Sequence, residues 1–282
     1  MDFIKSPLNY TGGKFKLLPK IMPLFDEAET FIDLFGGGGN VGINSNSEKI
    51  IINDREKVVI DFFKKIQKLS IEDVLKSIKG YIENYDLSKV NQEGFLKIRK
   101  DYNASNEKDP LMFYTMLMYS FNYQIRFNSK GEYNMPFGKD RSSFNKNTEK
   151  NIRNFHNAIL SKKIIFTNND FRDIKVDKIN SDTMVYCDPP YLITTASYNE
   201  NGGWTEKEEI DLLNLLDELN DKNIKFALSN VLEHKNKKNT ILIEWSKKYN
   251  IHFLDMNYNN SNYQSTANQG KTVEVLITNY EK

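Results

Sequence analysis

The 282-residue chain predicts a Rossmann-like α/β fold: a mostly parallel sheet, helices on both faces and one inserted helical module. Three observations predict it. Short apolar runs alternate with helical stretches, the pattern of parallel strands joined by crossovers. Several runs end in an aspartate or a glycine cluster, at the edge where open α/β sheets hold ligands. Residues 57–145 then break the alternation with consecutive helical segments and little strand signal.

Thr30-Phe31-Ile32-Asp33-Leu34-Phe35 is the first apolar run, a strand over 30–35, and Gly36-Gly37-Gly38-Gly39 follows at once. Strand, glycine loop and helix form a nucleotide-cofactor arrangement, because glycines permit close approach and loop N–H groups face the ligand. A plain turn is the alternative, disfavoured by the strand before it. Lys49–Asn53 is the second strand and ends at Asp54. Its distance from the first strand is about the 20 residues at which an acid grips ribose hydroxyls. Asp54 could equally cap the helix that starts near Arg55.

Helical segments follow over Ile71–Tyr85, Gln92–Asp101 and Pro110–Phe121. The third strand, 163–167, runs into Asn168-Asn169-Asp170-Phe171; Asp170 is a cofactor-side candidate or a solvated loop carboxylate. The fourth, 183–187, ends in Met184-Val185-Tyr186-Cys187 and is followed by Asp188-Pro189-Pro190-Tyr191. By itself that tetrapeptide could be a turn with a packed tyrosine. Glu206 to Asn220 reads as a helix with Ile210, Leu213, Leu216 and Leu219 on one face. Further strands are expected at 224–229, 251–256 and 272–279, the last an antiparallel addition.

Five segments in this order resemble the Dam-type adenine-specific DNA methyltransferases: Ser6-Pro7-Leu8-Asn9-Tyr10-Thr11-Gly12-Gly13-Lys14, the Phe35/Gly37/Gly39 loop, Asp54, Asp170-Phe171 and Asp188-Pro189-Pro190-Tyr191. The resemblance spans almost the whole chain. It implies an S-adenosylmethionine-dependent methyltransferase sheet and N6 methylation of adenine. It puts Tyr10, Lys14, Asp33, Phe35, Gly37, Gly39, Asp54, Asp170, Phe171 and Asp188 at the cofactor, and Asp188, Pro189, Pro190 and Tyr191 at the reacting base. The chemistry fits those residues. An exocyclic amine is a poor nucleophile, since its lone pair is delocalised into the ring. The Asp188 carboxylate can accept one N–H and the Pro189 carbonyl the other, while Tyr191 stacks on a base taken out of the duplex. Transfer is then direct, with no covalent enzyme intermediate.

The resemblance also implies that 57–145 is a DNA-recognition domain inserted between the two pieces of the catalytic domain, 1–56 and 146–282. Ser129-Lys130-Gly131-Glu132 reads as the turn of a hairpin near 123–138, a shape that fits a major groove. Arg126 stands at the family's guanine-reading position, and Phe121 and Asn122 resemble the pair that fills the gap left by a flipped base. Asn9, Gln124 and Asn128 are further DNA contacts; Lys139, Arg141, Lys146 and Lys150 suit phosphates. The alternatives are a core aromatic for Phe121, a surface salt bridge for Arg126 and a solvated basic face for the rest. Ser261 and Tyr263 lie in a long polar loop that the family brings near DNA. GATC is the leading expectation for the site. Two departures weigh against it: Asn9 replaces a family lysine, and Tyr123-Gln124 replaces a Gly-Leu pair.

Composition bounds the rest. Apolar residues make up 39%, enough for a core, and the net charge of +1 does not by itself suggest nucleic acid. Residues 57–145 nevertheless hold 15 Lys+Arg against 11 Asp+Glu, a net of +4 that leaves −3 elsewhere, and local positive charge is what DNA binding needs. The lone Cys187 excludes intramolecular disulfides, and His156, His234 and His252 lack metal-ligand spacing, so no metal is expected. With no apolar run of membrane length and no leader-like start, a cytoplasmic protein is expected. Its expected partner is double-stranded DNA; the modification half of a restriction system (with a cognate restriction endonuclease linked genetically rather than physically), a phage enzyme and a solitary regulator all stay open. A monomer or weak dimer is expected. The rival readings are a non-catalytic sequence-specific DNA-binding protein and a cytosine-N4 or RNA methyltransferase.

Overall fold

The computed structural model describes residues 2–194, 203–254 and 272–282. In chain order it holds α1 (Leu18–Ile21), β1 (Thr30–Asp33), β2 (Lys49–Asn53), α2 (Lys57–Lys68), α3 (Ile71–Asn84), α4 (Gln92–Ala104) and α5 (Pro110–Leu117). These are followed by α6 (Lys146–Ser161), β3 (Lys163–Thr167), β4 (Thr183–Cys187), α7 (Glu206–Asp221) and β5 (Lys225–His234). The last elements are β6 (Lys237–Lys238), α8 (Thr240–Ser246), β7 (Asn250–Phe253) and β8 (Thr272–Thr278).

The strands form one sheet in the order β3-β2-β1-β4-β5-β8-β7, with β6 beside β5. The pairs from β3 to β5 are parallel, and β8 runs antiparallel between β5 and β7, as its partial alternation suggests. The strand order reverses direction at β1, so a crevice opens at the carboxyl ends of β1 and β4. The cleft described below lies there.

Period-2 alternation sorts each strand's side chains onto two faces. Phe31, Ile50, Ile52, Met184 and Tyr186 join one core, which includes Ile21, Phe63 and Phe155 of α1, α2 and α6. Ile32, Val185, Phe226 and Ile277 join the other, against Leu213 and Leu216 of α7 and Leu242 of α8. Each such side chain contributes about 1.5–3 kcal/mol on burial. The first core continues without a break into α3, α4 and α5 through Ile78, Phe95 and Phe113. The helical stretch therefore shares a core with the sheet. Its first helix, α2, packs directly on β3 through Phe63 and Phe166, whose ring centroids are 5.2 Å apart.

Local sequence accounts for the helix starts. Ser70 caps α3 by accepting from Asp73 N–H, and Thr205 and Glu208 form a capping box on α7. Two expectations need correction. Ile210 is 45% exposed, while Glu209 is buried, because the inward stripe of α7 runs through Leu212, Leu213, Leu216 and Leu219. The hairpin expected near 123–138 forms only in part. Its tight turn is present, with the Gly131 N–H on the Asn128 carbonyl and an antiparallel bridge Phe127–Tyr133, but no continuous ladder follows, and the next bridge is Ser120–Phe137. A short 3-10 turn at Phe121–Tyr123, with Asn122 and Tyr123 both at positive φ, breaks the first arm. Pro136 cannot donate from the second.

Candidate active site

Four aspartates stand at the carboxyl ends of four adjacent parallel strands: Asp33 on β1, Asp54 after β2, Asp170 after β3 and Asp188 after β4. They surround a cavity of about 540 Å³. Tyr10, Lys14, Phe35, Gly37, Phe171, Pro189, Pro190 and Tyr191 line it with them. Gly39 does not. It lies beneath the loop, where a Cβ would come within 3.4 Å of Phe155 and 3.6 Å of Phe63, so it serves the packing of the loop on the core.

The buried side chain of Asn53 ties the strand ends together. Its Nδ2 donates to the carbonyls of Leu34 and Asn169, and its Oδ1 accepts from Thr167 Oγ1 and the Asn169 N–H. Asp54 is buried beside it. One oxygen accepts from the Gly37 N–H at 2.7 Å and the other from the Glu56 N–H at 2.7 Å. Asp54 therefore holds the glycine loop and the entry to α2 at once, and burial raises its pKa against those two donors.

Asp33 is 1% exposed. Its Oδ2 accepts from the Gly42 N–H at 2.9 Å, but its buried Oδ1 has no hydrogen-bond partner. Burial pushes its pKa up to about 7, opposed by the Gly42 N–H and aided by the negative charge of Asp188 and Asp54. A buried acceptor left unpaired costs about 1–3 kcal/mol, which a ligand donor would recover.

The N-terminal segment is strapped over the loop. Asn40 Oδ1 accepts from the Ser6 N–H, and the Asn44 amide pairs with both the N–H and the C=O of Ile4. This lays Tyr10 on Gly37, where a Cβ would stand 2.9 Å from the ring at φ +48°, so only glycine suits the position. It also delivers Lys14 to Asp188, with Nζ and Oδ1 2.8 Å apart and both side chains largely buried. Burial raises the pKa of Asp188, and Lys14 pulls it back down. Tyr191 donates its hydroxyl to Asp188 Oδ1 at 3.1 Å.

On the far side Phe171 packs with Phe35 and Trp204 at centroid distances of 5.3 and 5.6 Å. Asp170 is clamped by Arg172, whose guanidinium holds its carboxyl below the usual range. It is an ion-paired rim residue rather than a freely solvated one.

In the segment 120–141 Arg126 is exposed and uses Nε and Nη2 on Asn134. Asn9 donates its amide to the Asn122 carbonyl at 2.8 Å. Arg141 lies over the Phe121 ring at 5.1 Å, with Nη1 3.5 Å from Asn122 Oδ1. The Asn128 side chain is committed to the turn, accepting from the Lys130 and Glu132 N–H groups and donating to the Glu132 carboxylate. Gln124 is half-buried, and its carbonyl accepts from the Tyr133 hydroxyl. Lys139, Lys146 and Lys150 are exposed. Ser261 and Tyr263 lie outside the described residues.

Residues 10–260 match the model of the D12 class N6 adenine-specific DNA methyltransferases. The chain belongs to that family. It is similar to the type II methyltransferase M.FokI of Planomicrobium okeanokoites, with 50% identity over 99% of this chain and 43% of the relative. It is 44% identical to the modification methylase StsI of Streptococcus sanguinis, again over 99% of this chain and 43% of the relative. A DNA adenine methylase of Escherichia coli K12 is 23% identical over 97% of this chain and 94% of its own length. The chain thus spans under half the length of the first two relatives. No helix among the described residues is long and apolar enough to cross a membrane.

Among the residues at this cleft that escaped the sequence reading are Asn53, Arg172, Trp204 and Glu274. Glu274 lies on β8, 3.8 Å from Lys14 and 3.3 Å from the Tyr191 hydroxyl. Its signal was present. Thr272, Glu274, Leu276 and Thr278 share a strand face by period 2, and Leu276 and Thr278 are buried, so a carboxylate stands on an inward face.

Proposed function

We propose that the chain moves a methyl group from S-adenosylmethionine to N6 of an adenine flipped out of a short double-stranded DNA site. The observation that carries this is Asp188. Its carboxylate, raised in pKa by burial and paired with Lys14, opens onto the same cavity as the glycine loop.

The cavity suits the cofactor. It offers an unpaired buried acceptor at Asp33, an aromatic wall at Phe171 and a loop closed by Tyr10, with several carboxylates facing a cationic ligand. When bound, S-adenosylmethionine supplies an activated methyl group. Asp33, Tyr10, Asp54 and Phe171 are the residues to hold it. Asp188 and the Pro189 carbonyl orient the adenine amine by accepting its two N–H groups. That geometry favours the positive charge that develops on the nitrogen. Tyr191 has its hydroxyl anchored on Asp188, so its ring is set to pack against the base rather than to take part in proton transfer.

Residues 57–145 act, in this reading, as the DNA-recognition part, with Arg126 the base reader and Lys139, Arg141, Lys146 and Lys150 on phosphates. Asn9 serves by holding the Asn122 carbonyl and so shapes the wedge pair Phe121–Asn122. A role as the modification half of a restriction system is supported by the relatives called type II methyltransferase and modification methylase.

Sequencing of genomic DNA from expressing cells, by a method that reports N6-methyladenine in context, tests this. One enriched motif is expected, absent with Asp188→Ala, and GATC is one of its possible identities. Soluble protein that leaves no methyladenine overturns the proposal.

A further inference from the structure

Two carboxylates share the same two donors in the cleft. Lys14 Nζ lies 2.8 Å from Asp188 Oδ1 and 3.8 Å from Glu274 Oε1. The Tyr191 hydroxyl lies 3.1 Å from the first and 3.3 Å from the second. A hydroxyl has one proton, so Tyr191 donates to one carboxylate at a time. Lys14 has three protons and spends one on the Gly12 carbonyl at 3.1 Å. Glu274 reaches this point from within an apolar strand, between Val273 and Val275, with its side chain 5% exposed. A buried carboxylate there is costly unless it is paired.

In the reaction proposed above, Asp188 must accept an N–H from the adenine amine. Lys14 and Tyr191 both contact its Oδ1, so Oδ2 serves the amine as long as the carboxylate keeps this rotation. We propose that Glu274 is a positioning residue that holds Lys14 and the Tyr191 hydroxyl jointly with Asp188 and so fixes the rotation of that carboxylate. Held in this way, Asp188 keeps its negative charge beside the nitrogen as it becomes cationic. Among the described groups that bear on Glu274 are Lys14 from the N-terminal segment, the Tyr191 hydroxyl after β4 and Tyr186 on β4, whose phenol is pushed up first by burial and also by nearby negative charge that includes Glu274.

This inference rests on the adenine-methylation reading. The test uses the full chain, S-adenosylmethionine and a duplex carrying the motif found by sequencing. Rate–pH profiles are compared for wild type, Glu274→Gln and Glu274→Asp, with S-adenosylhomocysteine binding measured by calorimetry. Glu274→Gln is expected to lower kcat roughly 10- to 100-fold, the scale of a misplaced reacting group, with KM values little changed. Its acidic limb should move to lower pH. Asp188 would lose a neighbouring negative charge and keep Lys14 undivided, so it would ionise more readily. Glu274→Asp should recover most of kcat, and both variants should bind S-adenosylhomocysteine like wild type. An acidic limb that does not move overturns the inference, whatever kcat does. So does loss of S-adenosylhomocysteine binding in both variants, which marks a purely structural residue. Wild-type protein that methylates no adenine overturns instead the reading beneath it, and the inference with that reading.

Discussion

Lys14 Nζ and Asp188 Oδ1 sit 2.8 Å apart, with side chains 5% and 17% exposed. The N-terminal segment and the carboxyl end of β4 are thus joined by an ion pair inside the cleft. Burial works against the charged form of Asp188, and Lys14 is the principal group opposing it.

Replacing Lys14 by Gln should therefore raise the pKa of Asp188 further. The sign follows from which form is active. Asp188 offers a full negative charge to the nitrogen that becomes cationic only when ionised, so the acidic limb of the rate–pH profile should move to higher pH. Steady-state kinetics over pH 5–9 checks this, and a limb that stays in place would show that Lys14 does not govern the ionisation.

Asp33 links stability to pH. Its folded pKa is about 7 against 3.8 unfolded, so its contribution is fully present below about pH 3.8 and is lost as pH rises to about 7. Asp33→Asn does not titrate and keeps an acceptor for the Gly42 N–H. The stability of that variant relative to wild type should climb between pH 4 and 7, by a few kcal/mol at most. Denaturant unfolding of the cofactor-free protein at several pH values measures it. Cofactor affinity should fall in the same variant.

Gly37→Ala forces a Cβ to 2.9 Å from the Tyr10 ring at φ +48°. Left-handed backbone costs an L-residue about 1–2 kcal/mol, and Tyr10 must shift as well. A lower melting temperature and roughly tenfold weaker cofactor binding are expected, the latter equivalent to about 1.4 kcal/mol. Calorimetry of both quantities checks the pair; Gly12→Ala, with nothing within 4 Å of its Cβ, controls for backbone strain alone at φ +77°.

Arg126→Ala should relax discrimination at one guanine by about 1–3 kcal/mol. Arg141→Ala, by contrast, should weaken binding similarly on all sequences and reduce its salt dependence. Competition binding against single-substituted duplexes separates these outcomes. An unchanged preference profile for Arg126→Ala would remove it as a base reader.

The strands were legible because each is a local apolar run ending in a breaker. Five of the seven expected strands begin at the observed start and end within two residues of the observed end; 224–229 and 251–256 begin within one residue, but the first runs on to His234 and the second stops at Phe253. Hydrophobic period and strand ends depend on neighbours in sequence, and so does the order of the motifs that marks the family. What pairs with what does not. Asp170 finding Arg172 is local, but Asn9 meeting Asn122, Lys14 meeting Asp188 and Tyr191 meeting Glu274 join residues far apart in the chain.

The sequence by itself therefore determined the alternation, the four aspartates at strand ends and the glycine loop, since each is written in a few consecutive residues. Tertiary structure decided which of them share a cavity, that Asp33 keeps one oxygen unpaired and that Gly39 faces the core. It also decided that Glu274 joins the site. That last outcome depends on β8 entering antiparallel beside β5 in a register that pairs Val231 with Glu274. A shift of one residue would turn that carboxylate to the other face of the sheet.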